Sequence, residues 1–358
     1  MLFRRRKARS DDGPQPMYMP RDFSVLGNAF GIDLGTNNIK IYNHSSGKIR
    51  VQKNMIAVQN RTNMIAYGDS AYEMFEKSPA SIEISRPISY GVIADIGHMQ
   101  AVIRQILKAE QRGSLRPADY FISVPTDVTE VERRAFNDLI REAGVRARRI
   151  WGVEKAIADG LGLGVDVKNS QGALIVDVGY DTTEVSILSL GGIVLSRLIK
   201  TGGHAFDTAI VNAVRREYNL MIGMKTAESI RVSMNDEVSL GTKVIYGRDV
   251  VTGLPMERTL TEDFVEDALA ENFRVIAEDV RVILERTPPE LSADIYKDGL
   301  FLTGGAGQER GLISRLEEEV GLDINMAEEP ISTVALGLSQ VIRRPQFRSL
   351  AYSIEDME

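Results

Sequence analysis

Twice in this chain of 358 residues an apolar strand runs into Asp-x-Gly, a polar turn, a second alternating strand, a Gly turn and a third strand. The first copy begins Gly31-Ile32-Asp33-Leu34-Gly35-Thr36-Asn37-Asn38, continues to Tyr42, turns at Ser45-Ser46-Gly47 and resumes over Lys48 to Val51. The second begins Val176-Asp177-Val178-Gly179-Tyr180-Asp181-Thr182-Thr183, continues to Ile187, turns at Gly191-Gly192 and resumes over Ile193 to Leu195. In both, the Asp precedes the turn Gly by fourteen positions, 47 − 33 and 191 − 177. Matched spacing of this kind predicts two duplicated lobes, each built on the same sheet.

The length fits that division, because a chain this long exceeds one ordinary core. Hydrophobic residues at 43% and charged residues at 26% are expected of a soluble globular chain. The net charge of −7 makes it a poor general nucleic-acid binder, since phosphate contacts need a basic face. With no cysteine there is no disulfide and no thiolate metal site, which fits a reducing compartment. No run of ~18 apolar residues is present, so no spanning helix is predicted, and the N-terminus lacks the apolar stretch of a secretion signal. The expected location is the cytoplasm. The first thirty residues stand apart: Arg4, Arg5, Arg6, Lys7 and Arg9 precede a linker broken by Pro14, Pro16 and Pro20. They read as a basic tail, either simply solvated or drawn to an anionic membrane surface at ~1 kcal/mol per basic residue.

Between the two copies and beyond them, helices and strands alternate, which predicts α/β layers. The spacing predicts a helix over Met99 to Lys108, a strand over Asp119 to Val124, and a helix over Thr129 to Ala143. Thr129 caps that last helix, with Glu132 three residues on, and Gly144 ends it. Further helices are predicted over Glu154 to Leu163, Phe206 to Tyr218, Thr226 to Val232, Glu262 to Glu285 and Leu312 to Val320. A strand over Gly299 to Thr303 feeds Gly304-Gly305-Ala306-Gly307.

A carboxylate at the end of a buried strand, beside a Gly turn, has a chemical use. Glycine lets backbone N–H groups approach phosphate oxygens, and the Asp then needs a cation between itself and the phosphates, a place that suits hydrated Mg²⁺. Thr36, Asn37 and Asn38 add donors to the first loop, and Thr182 and Thr183 to the second. Two such loops facing each other would clamp a triphosphate. Thr201-Gly202-Gly203-His204 leads into a helix and is a place where N–H groups could meet phosphate. His44, His98 and His204 show no metal-ligand spacing.

The ordered set Gly31 to Thr36, Asp177 to Val185 and Leu302 to Gly307 resembles the two phosphate motifs and the adenosine motif of the actin-like ATPases. Longer stretches are similar to one branch, the bacterial MreB rod-shape proteins: Val124 to Ala135, Ser189 to Val194, Val250 to Pro255, Thr287 to Asp294 and Ile331 to Gly337. Together they span about Gly31 to Ile342. The resemblance implies a two-lobed α/β actin fold with ATP and Mg²⁺ in the interlobe cleft. It also implies head-to-tail filaments beneath the cytoplasmic membrane that guide the cell-wall synthesis machinery. Carried over by position, Asp33 and Asp177 would face hydrated Mg²⁺, and Glu154 would orient the attacking water. Gly35, Thr36, Asn37, Asn38, Gly179, Tyr180, Asp181, Thr182, Thr183, Gly202 and Gly203 would surround the phosphates. Glu228 and Arg231 would lie near ribose and base, with Gly304, Gly305, Ala306 and Gly307 closing the adenosine pocket. The expected division is a basic tail over 1–30, a first lobe over 31–160, a second lobe over 161–325, and a return to the first lobe with a C-terminal tail over 326–358.

Departures from the family pattern fall on the working parts. Its second phosphate loop reads Asp-x-Gly-Gly-Gly-Thr, where this chain has Tyr180 and Asp181. If those positions need positive φ, Asp181 tolerates it better than Tyr180. Asp181 brings a negative charge to the terminal-phosphate position. The hinge Glu-Pro is Glu154-Lys155, the Gly-Gly-Asp is Gly202-Gly203-His204, the Lys near the ribose is Arg231, and the third adenosine Gly is Ala306. The family's apolar membrane-touching loop reads Gln111-Arg-Gly-Ser-Leu-Arg-Pro117, so attachment would pass to the basic tail and be salt-sensitive. Three functions follow in order of expectation: an ATP-dependent MreB-like filament protein, a nucleotide-impaired relative acting as scaffold or filament regulator, and a small-molecule kinase on the same fold.

Overall fold

The structure, a computed structural model, describes residues 27–111, 116–235 and 241–354. The basic tail and the centre of the loop at 111–117 lie outside the described residues. Two sheets of the same plan form the frame. The first contains β1 (Ala29–Leu34), β2 (Asn38–Asn43), β3 (Lys48–Lys53), β4 (Ala118–Val124) and β5 (Ala147–Glu154). The second contains β6 (Ala173–Val178), β7 (Thr183–Ser189), β8 (Gly192–Ile199), β9 (Leu300–Thr303) and β10 (Ile324–Met326). In each, an antiparallel meander is followed by two strands parallel to its first: β3-β2-β1-β4-β5 in one lobe and β8-β7-β6-β9-β10 in the other. The strand β11 (Ala351–Ser353) extends the first sheet antiparallel to β5. The predicted duplication is therefore the architecture, an actin-like one with two mixed α/β cores.

Every residue of β1 and β6 is buried, as expected for central strands covered on both faces. Phe30, Ile32, Tyr120 and Phe136 belong to the core of the first lobe, and Leu174, Val176, Phe206 and Phe273 to that of the second. A third core joins them. It takes Phe121 and Trp151 from one sheet, Ile175 and Leu188 from the other, and the apolar faces of α2 (Lys155–Gly162) and α7 (Thr333–Arg343). Between these two in sequence lie α3 (Gly203–Tyr218), α4 (Met224–Met234), α5 (Glu262–Glu285) and α6 (Arg310–Val320), while α1 (Glu130–Glu142) precedes them. Thr129 caps α1 in a full capping box with Glu132, and Thr261 caps α5 by accepting from the Phe264 N–H.

Several helices start two or three residues before the expected position, and the helix expected from Glu154 starts one residue later. Glu154 is the last residue of β5, in register with Val124, and α2 starts at Lys155. The parallel ladder to β4 holds Glu154 extended although the local sequence is helix-forming.

Small residues set the distance between α2 and α7. A Cβ on Gly337 would lie 1.7 Å from the Ala158 carbonyl oxygen, and one on Gly162 would lie 2.1 Å from the Thr333 carbonyl oxygen. Both obstacles are backbone, so no side chain can move aside. Gly337→Ala is expected to destabilise the protein by about 1–3 kcal/mol, as overpacking does, read as a lower urea midpoint at unchanged m-value.

Candidate functional site

The two Asp-ended strands meet at the floor of the interlobe cleft. Asp33 and Asp177 are both buried. Asp33 Oδ1 accepts from Ser123 Oγ at 2.9 Å, and its Oδ2 accepts from Lys40 Nζ at 2.9 Å. Burial pushes the Asp33 carboxyl up, but Lys40, Lys155 and Ser123 outweigh it and hold the group below its ordinary value. Asp177 Oδ2 accepts from Lys155 Nζ, which also lies 3.4 Å from Glu184 Oε2. Burial opposes the Lys155 charge, yet Asp177, Glu184 and Asp159 hold its ammonium well above the usual lysine range. Glu184 Oε1 accepts from Thr126 of the first lobe, from Oγ at 2.5 Å and from N–H at 3.2 Å.

Lys40, Glu184, Thr126 and Asp159 were not among the expected site residues. A signal for the first two was available. Each lies seven positions after its loop's Asp and directly opposite it on the neighbouring strand, as the pairs Asp33↔Lys40 and Asp177↔Glu184. Thr126 and Asp159 join only through tertiary packing.

Above the floor, the second loop fills the cleft. The Tyr180 ring stacks on His204 with centroids 5.3 Å apart and planes 4° from parallel, and the Arg86 guanidinium sits 4.6 Å from the Tyr180 ring centroid. Burial pushes the Tyr180 hydroxyl up to about 12. Asp181 Oδ2 accepts from the Tyr90 N–H of the first lobe at 3.0 Å, and its Oδ1 pairs with His204 Nδ1 at 3.0 Å. Neither Tyr180 nor Asp181 has positive φ. The lost glycines thus cost no backbone strain; what changes is the space and charge of their side chains. A cavity of about 180 Å³ remains, lined among others by Thr36, Arg86, Tyr180, Asp181 and His204.

The turn at Gly202-Gly203 differs from expectation. The Gly203 N–H donates to the Gly179 carbonyl at 3.0 Å and the His204 N–H to the Tyr180 carbonyl at 2.7 Å. These two donors brace the second loop from behind, so they do not face a phosphate. Gly304 has φ +88, and a Cβ there would lie 2.3 Å from Asp177 Oδ1. The Gly304-Gly305-Ala306-Gly307 turn therefore lies directly on Asp177, and Ala306 N–H donates to the Val178 carbonyl at 3.0 Å. Arg231 is buried between Asp207 at 2.7 Å and Glu309 at 2.5 Å, which hold its guanidinium above its ordinary value against burial. Asn37 Oδ1 lies 3.5 Å from Arg86 Nη2, and Asn38 opens β2 opposite Lys53. Thr183 Oγ donates to the Thr201 carbonyl at 2.8 Å, and the Thr182 carbonyl accepts from the Gly179 N–H at 2.9 Å. Asn54 Nδ2 donates to the Gly35 carbonyl at 3.0 Å. Glu154 is paired with Arg133 at 2.7 Å, which in turn contacts the Tyr352 hydroxyl.

The mouth of the cleft is bolted by side chains from both lobes. Glu76 accepts from the first N–H groups of α4, Met224 at 2.6 Å and Lys225 at 3.1 Å. Tyr72 donates to Glu228 at 2.6 Å, and Lys53 lies 3.6 Å from the same carboxylate.

Comparison with known proteins decides the family. The family described as MreB/Mbl protein matches residues 27–348. The chain belongs to the MreB/Mbl family. It is 35% identical over 317 residues to the cell shape-determining protein Mbl of Bacillus subtilis (strain 168), covering 86% of this chain and 93% of that protein. MreB5 of Spiroplasma citri, solved bound to ADP, superposes with a TM-score of 0.84 at 32% identity, over 90% of this chain and 98% of that one. A chain of the MamK double helical filament shares the fold, with a TM-score of 0.74 at 19% identity, over 88% of this chain and 98% of that one.

Among the described residues of this MreB/Mbl chain no helix is long and apolar enough to cross a membrane. The resemblance implied Mg²⁺ beside Asp33 and Asp177. In this arrangement each carboxylate already holds a lysine ammonium, so a hydrated divalent cation does not fit between them. The cavity beside Tyr180 is smaller than the roughly 300–1,000 Å³ of ligand pockets.

The Glu228 carboxyl offers a pH test of the bolt. Burial pushes it up, but the Tyr72 hydrogen bond and Lys53 outweigh this and hold it below its ordinary 4.5. Its contribution is therefore present above the unfolded value and lost as pH falls through the folded one. Glu228→Gln is expected to lower the thermal midpoint at neutral pH, with the gap from wild type closing in acid below 4.5.

Proposed function

We propose that this chain is a filament-forming cell-shape protein that polymerises head to tail at the inner face of the cytoplasmic membrane and guides cell-wall synthesis, with the interlobe cleft as its ATP site. The observation that carries this reading is the facing pair of Asp33 and Asp177 loops in a chain that matches the MreB/Mbl family over 27–348. MreB5 of Spiroplasma citri was solved with ADP and with AMPPNP, which supports an adenine nucleotide as the ligand here. The same two-lobed fold occurs in the MamK double helical filament. Asp33, Thr36, Asn37 and Asn38 would serve the first phosphate face, and Asp177, Thr182 and Thr183 the second. Glu228 and Gly304 to Gly307 would serve the nucleoside end. Electron microscopy of the full chain with ATP and lipid tests the reading: filaments support it, and persistent monomers in solution and on lipid overturn it.

A second reading has its own observation. Tyr180, packed against His204 and Arg86, and Lys155 on Asp177 favour a nucleotide-impaired member that acts as scaffold or filament regulator. Replacing Tyr180 and Asp181 together by Gly opens the cavity and removes a charge that opposes phosphate. ATP affinity by calorimetry is expected to rise at least about tenfold, a difference of ~1.4 kcal/mol. Tight ATP binding and turnover by the unaltered chain would remove the second reading.

Membrane attachment through Arg4, Arg5, Arg6, Lys7 and Arg9 is part of the first reading. Five basic residues at ~1 kcal/mol each give attraction that salt screens. The chain is expected to sediment with vesicles containing anionic lipid at low salt, and to be released from them at high salt or when residues 1–10 are removed.

A further inference from the structure

The two loops share a plan but differ in one charge. Seven positions after Asp33 stands Lys40, and seven after Asp177 stands Glu184. The first hairpin thus supplies its own counter-cation across the ladder. The second does the opposite and sets a carboxylate directly beside Asp177. Asp159, on α2, adds a third acid to the same place; it is 1% exposed and its Oδ1 has no hydrogen-bond partner among the described residues. Buried carboxylates gathered this closely require a cation. Lys155 is that cation. Its Nζ contacts Asp177 Oδ2 and lies 3.4 Å from Glu184 Oε2, while Glu184 Oε1 is held by Thr126 from across the cleft. One ammonium therefore connects α2, the second sheet and, through Glu184, the first lobe.

We propose that Lys155 is a resident cation, tethered where a divalent ion would otherwise neutralise the second loop, so that this chain closes its cleft without divalent metal. The inference rests on reading the cleft as the family's nucleotide site, but not on filament formation. A tethered ammonium is present at every metal concentration and cannot be chelated. It also explains why Asp177 and Glu184 coexist on neighbouring strands: the pair would repel if Lys155 were neutral.

The test uses the full chain, stripped with EDTA and free of nucleotide, with Mn²⁺ as the probe. Wild type is expected to show no saturable Mn²⁺ site by electron paramagnetic resonance up to about 1 mM, and its thermal midpoint is expected to be the same in EDTA and in Mg²⁺. Lys155→Met leaves Asp177 and Glu184 side by side without their shared cation, and is expected to bind one Mn²⁺ at least about tenfold tighter than wild type. A wild-type Mn²⁺ site that Asp177→Asn abolishes overturns the proposal, and so does a folded Lys155→Met variant that gains no site. The wild-type arm stands even if Lys155→Met fails to fold. Because metal binding is read on the unassembled chain, a failure to form filaments leaves this result intact, and metal-dependent filaments would sink the inference alone.

Discussion

The close approach of α2 to α7 fixes the rest of the cleft. Gly337 admits the Ala158 carbonyl, and Gly162 admits that of Thr333, at distances no side chain would allow. This contact pins the helix that carries Lys155 and Asp159 and sits at the junction of the two sheets. Interior packing transmits such constraints because it is dense and has few voids. With α2 pinned, Lys155 reaches both Asp177 and Glu184. The charge arrangement at the floor thus depends on two glycines that are not part of it.

The second loop shows how a motif can change while its backbone survives. Tyr180 and Asp181 occupy ordinary φ, and the loop is braced by N–H groups from Gly203 and His204. The side chains then do what the family's glycines cannot. Tyr180 stacks within the cleft, and Asp181 reaches the Tyr90 N–H of the opposite lobe. Asp181 does place a negative charge in the cleft, and it is committed to a cross-lobe bond there.

Much of the frame was legible in the sequence, because hairpin spacing and helix caps are local. The fourteen-residue interval gave both meanders, and Gly47 and Gly191 both have the positive φ that such turns need. The Thr129 capping box is present as expected. What escaped was set by long-range contacts. Glu154 looks like a helix start but is held in a parallel ladder. The Gly202-Gly203 turn looks like a phosphate cradle, yet its donors are spent on the adjacent loop. Lys155 was visible only as a departure from Pro; its partners lie 22 and 29 positions away in sequence. No local pattern announces a pairing over that span.

The bolt across the cleft mouth has a consequence for how such a subunit is controlled. Tyr72, Lys53 and Glu76 hold Glu228 and the start of α4 through contacts encoded in the chain itself. A ligand shifts a two-state equilibrium only by its differential affinity for the two states. Here a share of the preference for the closed state is already built in. Acid, ionic strength, or a neighbour that competes for the same carboxylates would then act on that preference alongside any ligand. Such a subunit behaves less like a clock wound by fuel than like a clasp whose stiffness was chosen when the sequence was.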